Sequence, residues 1–301
     1  MLISSRSPIR TKFITMIARL FALGAFMLCG PLRAADLSAA IAACGQYRYR
    51  EAVKMIDAIP SGKITAEALR YRGVALGKMG RWEEANATLE RARAMEPDSV
   101  DVLLDLANAQ GQYALASGPF GKLSGARKAK ATLEQAVALA PNSVDARNGL
   151  YGFYLNVPAI VGGGRDKALA QLVEIERLDP VTARLCRAEL AYADKDFARA
   201  FAIYREVQRT HPDDYRAYYG LGRIAALSGK ELESGLASLR RCATMTSPLR
   251  LPGLPGVHLR MGDILRHKGD IAGARAAYQE SLRVLPEYTF AREELAKLKK
   301  S

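Results

Sequence analysis

Three histidines, four cysteines and one tryptophan in 301 residues leave little material for metal or redox chemistry. No Cys-x-x-Cys occurs, and no Cys and His spacing matches a zinc site. His258 and His267 stand nine residues apart on one expected helix, so they share no metal-binding face. His211 merely precedes Pro212 at a helix end. His-Glu-x-x-His and Gly-x-Ser-x-Gly are both missing, and the Gly162–Gly164 run lacks the Gly-Lys-Ser/Thr ending of a phosphate-binding loop. The acidic pairs Asp213–Asp214 and Glu293–Glu294 are adjacent in sequence, so on a helix their side chains point apart. Nothing assembles an acid, a base and a nucleophile. The chain is therefore expected to be non-enzymatic, with no cofactor and no metal. No long stretch alternates apolar and polar residues with β-branched types, which excludes extensive sheet. No apolar run reaches the roughly 20 residues needed to span a bilayer.

What is present is repetition. Residues 66–99 carry Leu69, Gly73 and Leu76 at helical spacing, then Gly80, Trp82, Ala85, Leu89, Ala92 and Pro97. This predicts two short helices joined by a tight turn at Lys78–Gly80, with small residues Gly73 and Ala85 where the helices cross. A single hairpin cannot bury both faces, so at least about three must stack. The pattern, roughly 34 residues long, resembles the tetratricopeptide repeat. It departs from that repeat at Leu76, where tyrosine is usual, and at Arg72, where leucine is usual. The resemblance implies an all-α, right-handed superhelical solenoid of about seven helix-turn-helix repeats with a C-terminal capping helix.

The copies follow in order. A degenerate first one runs from Asp36 to Pro60. The third begins near Val100 and has about ten residues more than the repeat needs between Gln110 and Ala129. The fourth, from Asn142 to Pro180, has an enlarged turn as well, N-V-P-A-I-V-G-G-G-R-D-K-A. The Pro-x-x-Val-Gly-Gly run in it resembles a turn of exported tetratricopeptide proteins. A copy of regular length starts at Val181, and the next, from Tyr215, has its second helix shifted by about one residue. A proline-rich stretch, Pro248 to Gly256, reads as a stiff extended linker. A seventh copy and a terminal helix from Tyr288 to Lys300 complete the stack. Cys242 falls where the pattern wants a small core residue, as Ala92 does. Cys44, Cys186 and Cys242 read as core residues, with a Cys186–Cys242 bridge as the alternative.

The N-terminus reads as an export leader, giving a signal peptide over 1–35 and a solenoid over 36–301. Arg6, Arg10 and Lys12 precede an apolar stretch, Leu20 to Leu28, and a small-residue region, Pro31 to Ala35. Cleavage near Ala34 or Ala35 makes the protein periplasmic or secreted. Without cleavage the segment anchors it to the inner membrane, the one membrane contact expected. A lipid on Cys29 is disfavoured by Leu28 before it. The formal charge is +13, and loss of the leader's basic residues leaves +8. That favours an acidic protein partner. Export argues against nucleic acid.

In the repeat family the first helices line a concave groove that takes extended peptides. Register places Arg70, Asn108, Tyr192, Tyr219, Arg223 and Arg266 there. The second candidate is an edge site built from the two enlarged turns: Phe120, Lys122, Pro158, Gly163 and Arg165. Glycine amides at a helix start, beside Arg165 and Lys167, suit an anion. The alternative for these turns is cover for the core, with Phe120, Val157 and Ile160 packed inward. The function expected is an exported scaffold or adaptor for protein partners in the bacterial cell envelope. The alternatives are a binder of a small anionic ligand at the edge loops, or an accessory subunit of a transport or biosynthetic complex.

Overall fold

The computed structural model describes residues 32–298. The expected leader, including Cys29, lies outside the described residues up to position 31. Among the described residues there are fifteen α-helices and no strand. They form seven hairpins and a last helix. The first three hairpins pair α1 (Leu32–Gly45) with α2 (Tyr49–Asp57), α3 (Ala66–Lys78) with α4 (Trp82–Met95), and α5 (Val100–Ala116) with α6 (Pro119–Leu139). The next two pair α7 (Val144–Asn156) with α8 (Arg165–Leu178) and α9 (Pro180–Ala193) with α10 (Phe197–Thr210). The last two pair α11 (Tyr215–Ser228) with α12 (Leu232–Cys242) and α13 (Leu254–His267) with α14 (Ile271–Val284). Helix α15 (Thr289–Lys297) follows.

Local chemistry sets these limits. Side chains of Thr65, Ser143, Asp179, Asp196, Asp214 and Asp270 cap helix N-termini by accepting backbone N–H bonds. Five hairpins turn through a left-handed residue at the same point: Tyr47, Gly80, Lys195, Gly229 and Gly269. The third and fourth hairpins turn differently, and these are the enlarged ones. Inside each hairpin, glycines admit a bulky side chain from the partner helix. A Cβ on Gly73 would lie 2.5 Å from Leu89, and one on Gly262 would lie 2.3 Å from the Tyr278 ring.

Each first helix also touches the first helices of the hairpins beside it, so α1, α3, α5, α7, α9, α11 and α13 form one continuous inner layer. The core is continuous across the ends of the chain. Leu285, near the C-terminus, is buried in the same cluster as Ala40, Cys44, Tyr49, Leu76 and Leu89, and Tyr288 packs against it. Arg50 pairs with Glu287, and Gly80 abuts Thr289. The stack thus coils far enough for the segment that follows its last hairpin, residues 285–289, to meet its first two.

Three expectations change. The extra residues of the third hairpin are not a loop; α5 has 17 residues and α6 has 21, and Pro119 opens α6. Cys44, Cys186 and Cys242 are all free and buried, which removes the Cys186–Cys242 bridge. The proline-rich segment is not extended: Leu251 N–H donates to Pro248 O at 3.0 Å in a tight turn, and residues from Leu254 onward belong to α13. It crosses the inner layer.

Candidate functional site

The residues that meet inside the coil enclose a cavity of about 320 Å³. Helices α3, α5, α11 and α13 supply Gly77, Lys78, Asn108, Tyr219 and Arg260. Trp82, the only tryptophan in the chain, opens α4 and lies against the site of Gly77. Leu249, Arg250, Pro252 and Gly253 form one wall, and Tyr288 and Phe290 another.

Charge in this space is arranged around Asp105, which is 5% exposed. Its carboxylate accepts from Arg70 Nε at 2.6 Å on one oxygen and from Arg250 Nε at 2.8 Å on the other. Arg250 Nη2 also donates to Asp101 Oδ1 at 2.7 Å, and its Nη1 lies 3.5 Å from Asp145. Burial pushes the Asp101 carboxyl up, but the Arg250 hydrogen bond and the Arg70 charge hold it below its usual range. Lys78 Nζ donates to the carbonyl of Leu251 at 2.8 Å. Burial lowers its pKa from 10.5 to about 8, against the opposing pull of Asp105. Across the cavity, Arg260 bonds Asp263 at 2.9 Å, while its buried Nε has no partner among the described residues. Tyr219 stacks on Tyr215 with ring centroids 6.0 Å apart.

The groove candidates therefore separate into three places. Arg70, Asn108 and Tyr219 surround or line the cavity. Arg223 lies over the Tyr192 ring at 5.4 Å and pairs with Glu189, which also accepts from Tyr204. Arg266 belongs to the last hairpin and bonds Tyr278. Arg70 and Arg223 are held by carboxylates of the same chain, so an acidic peptide meets them already neutralised. Arg250 and Lys78, missed from register, matter more here. Repeat spacing carried no signal for Arg250, because it lies outside every repeat.

The edge candidates lie on one side of the third and fourth hairpins. The turn Ala159–Val161 contacts α6, and Gly162 faces Lys130. Phe120 and Lys122 stand further along the same helix, about 15 Å and about 12 Å from Lys130 at 1.5 Å per residue. Phe120 is 90% exposed and Ile160 87%, so neither covers the core. The anion expectation fails on the backbone. The amide of Gly163 donates to Pro158 O at 3.2 Å and that of Gly164 to Tyr154 O at 2.9 Å. Gly163 is needed for closure itself, since a Cβ there would lie 1.7 Å from the Val157 carbonyl oxygen. Arg165 is engaged by Asp194, with Nη2 donating at 2.8 Å. Among the described residues no group of three His, Cys, Asp or Glu side chains could hold a metal ion, and no helix is long and apolar enough to cross a membrane.

Residues 72–116, 159–214 and 188–245 match the family described as Tetratricopeptide repeat. Those segments, under half of the chain, are similar to tetratricopeptide repeats. A tetratricopeptide repeat protein from Parabacteroides merdae ATCC 43184 shares the fold, with a TM-score of 0.54 at 15% identity over 89% of this chain and 99% of that one. A thermophilic tetratricopeptide repeat protein from Thermus thermophilus aligns at a TM-score of 0.42 with 20% identity, over 79% of this chain and 100% of that one. Cellulose synthase operon protein C of Pseudomonas fluorescens (strain SBW25) is 30% identical over 144 residues. That match covers 45% of this chain and 11% of the relative, so the chain spans a small fraction of the relative's length. The inner face of the stack is crossed by the chain's own linker.

Proposed function

We propose that this chain is a non-enzymatic scaffold, exported to the bacterial cell envelope, that holds protein partners at the edge of its third and fourth hairpins. One observation carries the reading. The extra residues of the third hairpin build a projecting helix pair that ends in exposed apolar side chains, Leu115 and Phe120, with exposed Ile160 on the neighbouring turn. Scattered exposed apolar residues are ordinary, but a hairpin lengthened to carry one at its tip is a docking feature. The start of α6 is also basic. Lys122, Arg127 and Lys128 are exposed, and no acidic residue occurs between Gly118 and Leu133. An acidic partner surface with an apolar pocket fits this edge.

Cellulose synthase operon protein C favours a second, narrower reading: an accessory subunit of a polysaccharide-synthesising complex in the envelope. The partner decides between the two. A photoreactive cross-linker placed at Lys122 in the native envelope should join one partner reproducibly. The double variant Phe120→Ser with Ile160→Ser should cut that product at least tenfold, with unfolding stability within about 0.5 kcal/mol of wild type. Undiminished cross-linking in the folded double variant contradicts docking at the edge. A synthase component as the partner selects the second reading.

A further inference from the structure

The linker is held as a ligand is held. Ser247 Oγ lies 3.3 Å from Tyr47 Oη, on the turn between the first two helices. The carbonyl of Leu251 accepts from Lys78 Nζ, and that of Pro252 accepts from Tyr215 Oη at 2.5 Å. Between these contacts, the Arg250 guanidinium reaches three carboxylates of two adjacent first helices: Asp101 and Asp105 on α5, and Asp145 on α7. The contacts come from hairpins that are distant in sequence. They read two main-chain carbonyls and one fixed cation. Pro248 and Pro252 contribute no N–H that would need a partner on the way. A segment needed only to connect α12 to α13 requires none of this. Nor is Arg250 a core residue, since 32% of its side chain stays exposed.

We propose that the inner face around Asp101, Asp105 and Asp145 is a receptor for a proline-flanked protein turn bearing an arginine, and that residues 247–252, closed by the Leu251 N–H to Pro248 O bond at 3.0 Å, occupy it in cis. The three carboxylates select the cation. Lys78 and Tyr215 select the exit of that turn, where two successive carbonyls face them. The partner is a protein tail or loop of that chemistry, and it docks by replacing the linker. The tether sets the threshold. A segment joined to its own site acts at an effective concentration of about a millimolar, so a free competitor must bind more tightly or be presented at high local density. This site is separate from the Phe120 and Ile160 edge, and either can fail without the other.

The test uses the full chain and a synthetic peptide of residues 247–253, SPLRLPG, with the same peptide carrying Arg250→Ala as control. Binding is followed by calorimetry and by the fluorescence of Trp82, which lines the cavity beside Leu249 and Arg250. A chain with residues 247–252 replaced by an equal-length Gly-Ser run should bind the arginine peptide at least tenfold more tightly than wild type. It should bind the alanine peptide at least tenfold more weakly than the arginine one. A variant that keeps wild-type helix content yet binds neither peptide, or binds both alike, overturns the proposal. Should the replaced chain fail to fold, Arg250→Ala decides. Affinity for SPLRLPG above wild type supports the receptor, and unchanged affinity overturns it.

Discussion

Asp105→Ala is expected to lower unfolding stability by about 3 kcal/mol, measured by urea denaturation at neutral pH. The carboxylate is almost fully buried and is shared by Arg70 and Arg250. Its removal leaves Arg70, itself 13% exposed in its side chain, with a longer contact of 3.5 Å to Asp101 as its remaining ion pair. A buried charge stripped of its partner costs more than the pair ever contributed, which is why the loss is large. The value sits at the low end for such a change because Arg250 can keep Asp101 and is partly solvated. Arg250→Ala removes the partner that is not fully buried, so its cost should be clearly smaller. Equal losses for the two variants would show that Asp105 is not the hub of this network.

Lys78 should make stability rise with pH over a defined window. Burial lowers its pKa in the folded chain to about 8, from 10.5. Below pH 8 both folded and unfolded chains carry the charge, and the folded state bears the full cost of burying it. Between 8 and 10.5 the unfolded chain holds a proton that the folded chain has released, so stability increases with pH. Above 10.5 neither state is charged and the cost has gone. Buried cysteines and tyrosines titrate in the same range with the opposite sign, because their folded pKa values are raised. The clean measure is therefore wild type against Lys78→Met, which keeps the stem and loses the titration. Their difference should move in favour of wild type by up to about 3 kcal/mol between pH 8 and 10.5. A difference that stays flat over that range would mean that Lys78 is solvated and does not hold the linker carbonyl in a buried place.

The repeat architecture is written in local pattern, and there sequence reasoning succeeds. Leu69, Gly73, Leu76, Gly80, Ala85 and Leu89 predict α3, its turn and α4, and the structure places each in its expected role. The third hairpin misleads because Gly118, Pro119 and Gly121 look like breakers. Proline is acceptable in the first turn of a helix, and Gly125 lets α6 approach Ala114 closely. A signal did exist: Gly118–Pro119 could have been read as a start instead of a stop.

The linker is illegible for a different reason. Its longest contacts span 145 to 200 residues and depend on how far the stack coils. No periodicity within one repeat encodes that angle. Arg250 looks like one more exposed cation until the coil brings Asp101 and Asp105 to it. The groove residues Arg70 and Arg223 suffer the same blindness, since register shows which face they occupy but not which carboxylates of their own chain neutralise them.

The central claim is that the stack coils until the segment after its last hairpin meets its first two, closing over the linker. Arg50→Cys with Glu287→Cys, in a chain also carrying Cys29→Ser, tests it most directly. The native thiols interfere little, because Cys44, Cys186 and Cys242 are buried and burial pushes their pKa values to about 11, 12 and 12. A short bis-maleimide should join the two introduced thiols within one chain in the native state and fail to do so in urea. An open stack, at about 10 Å for each packed helix, would hold them several tens of Å apart. Two singly modified thiols and no internal cross-link in the folded chain would contradict the closed coil and the linker site together.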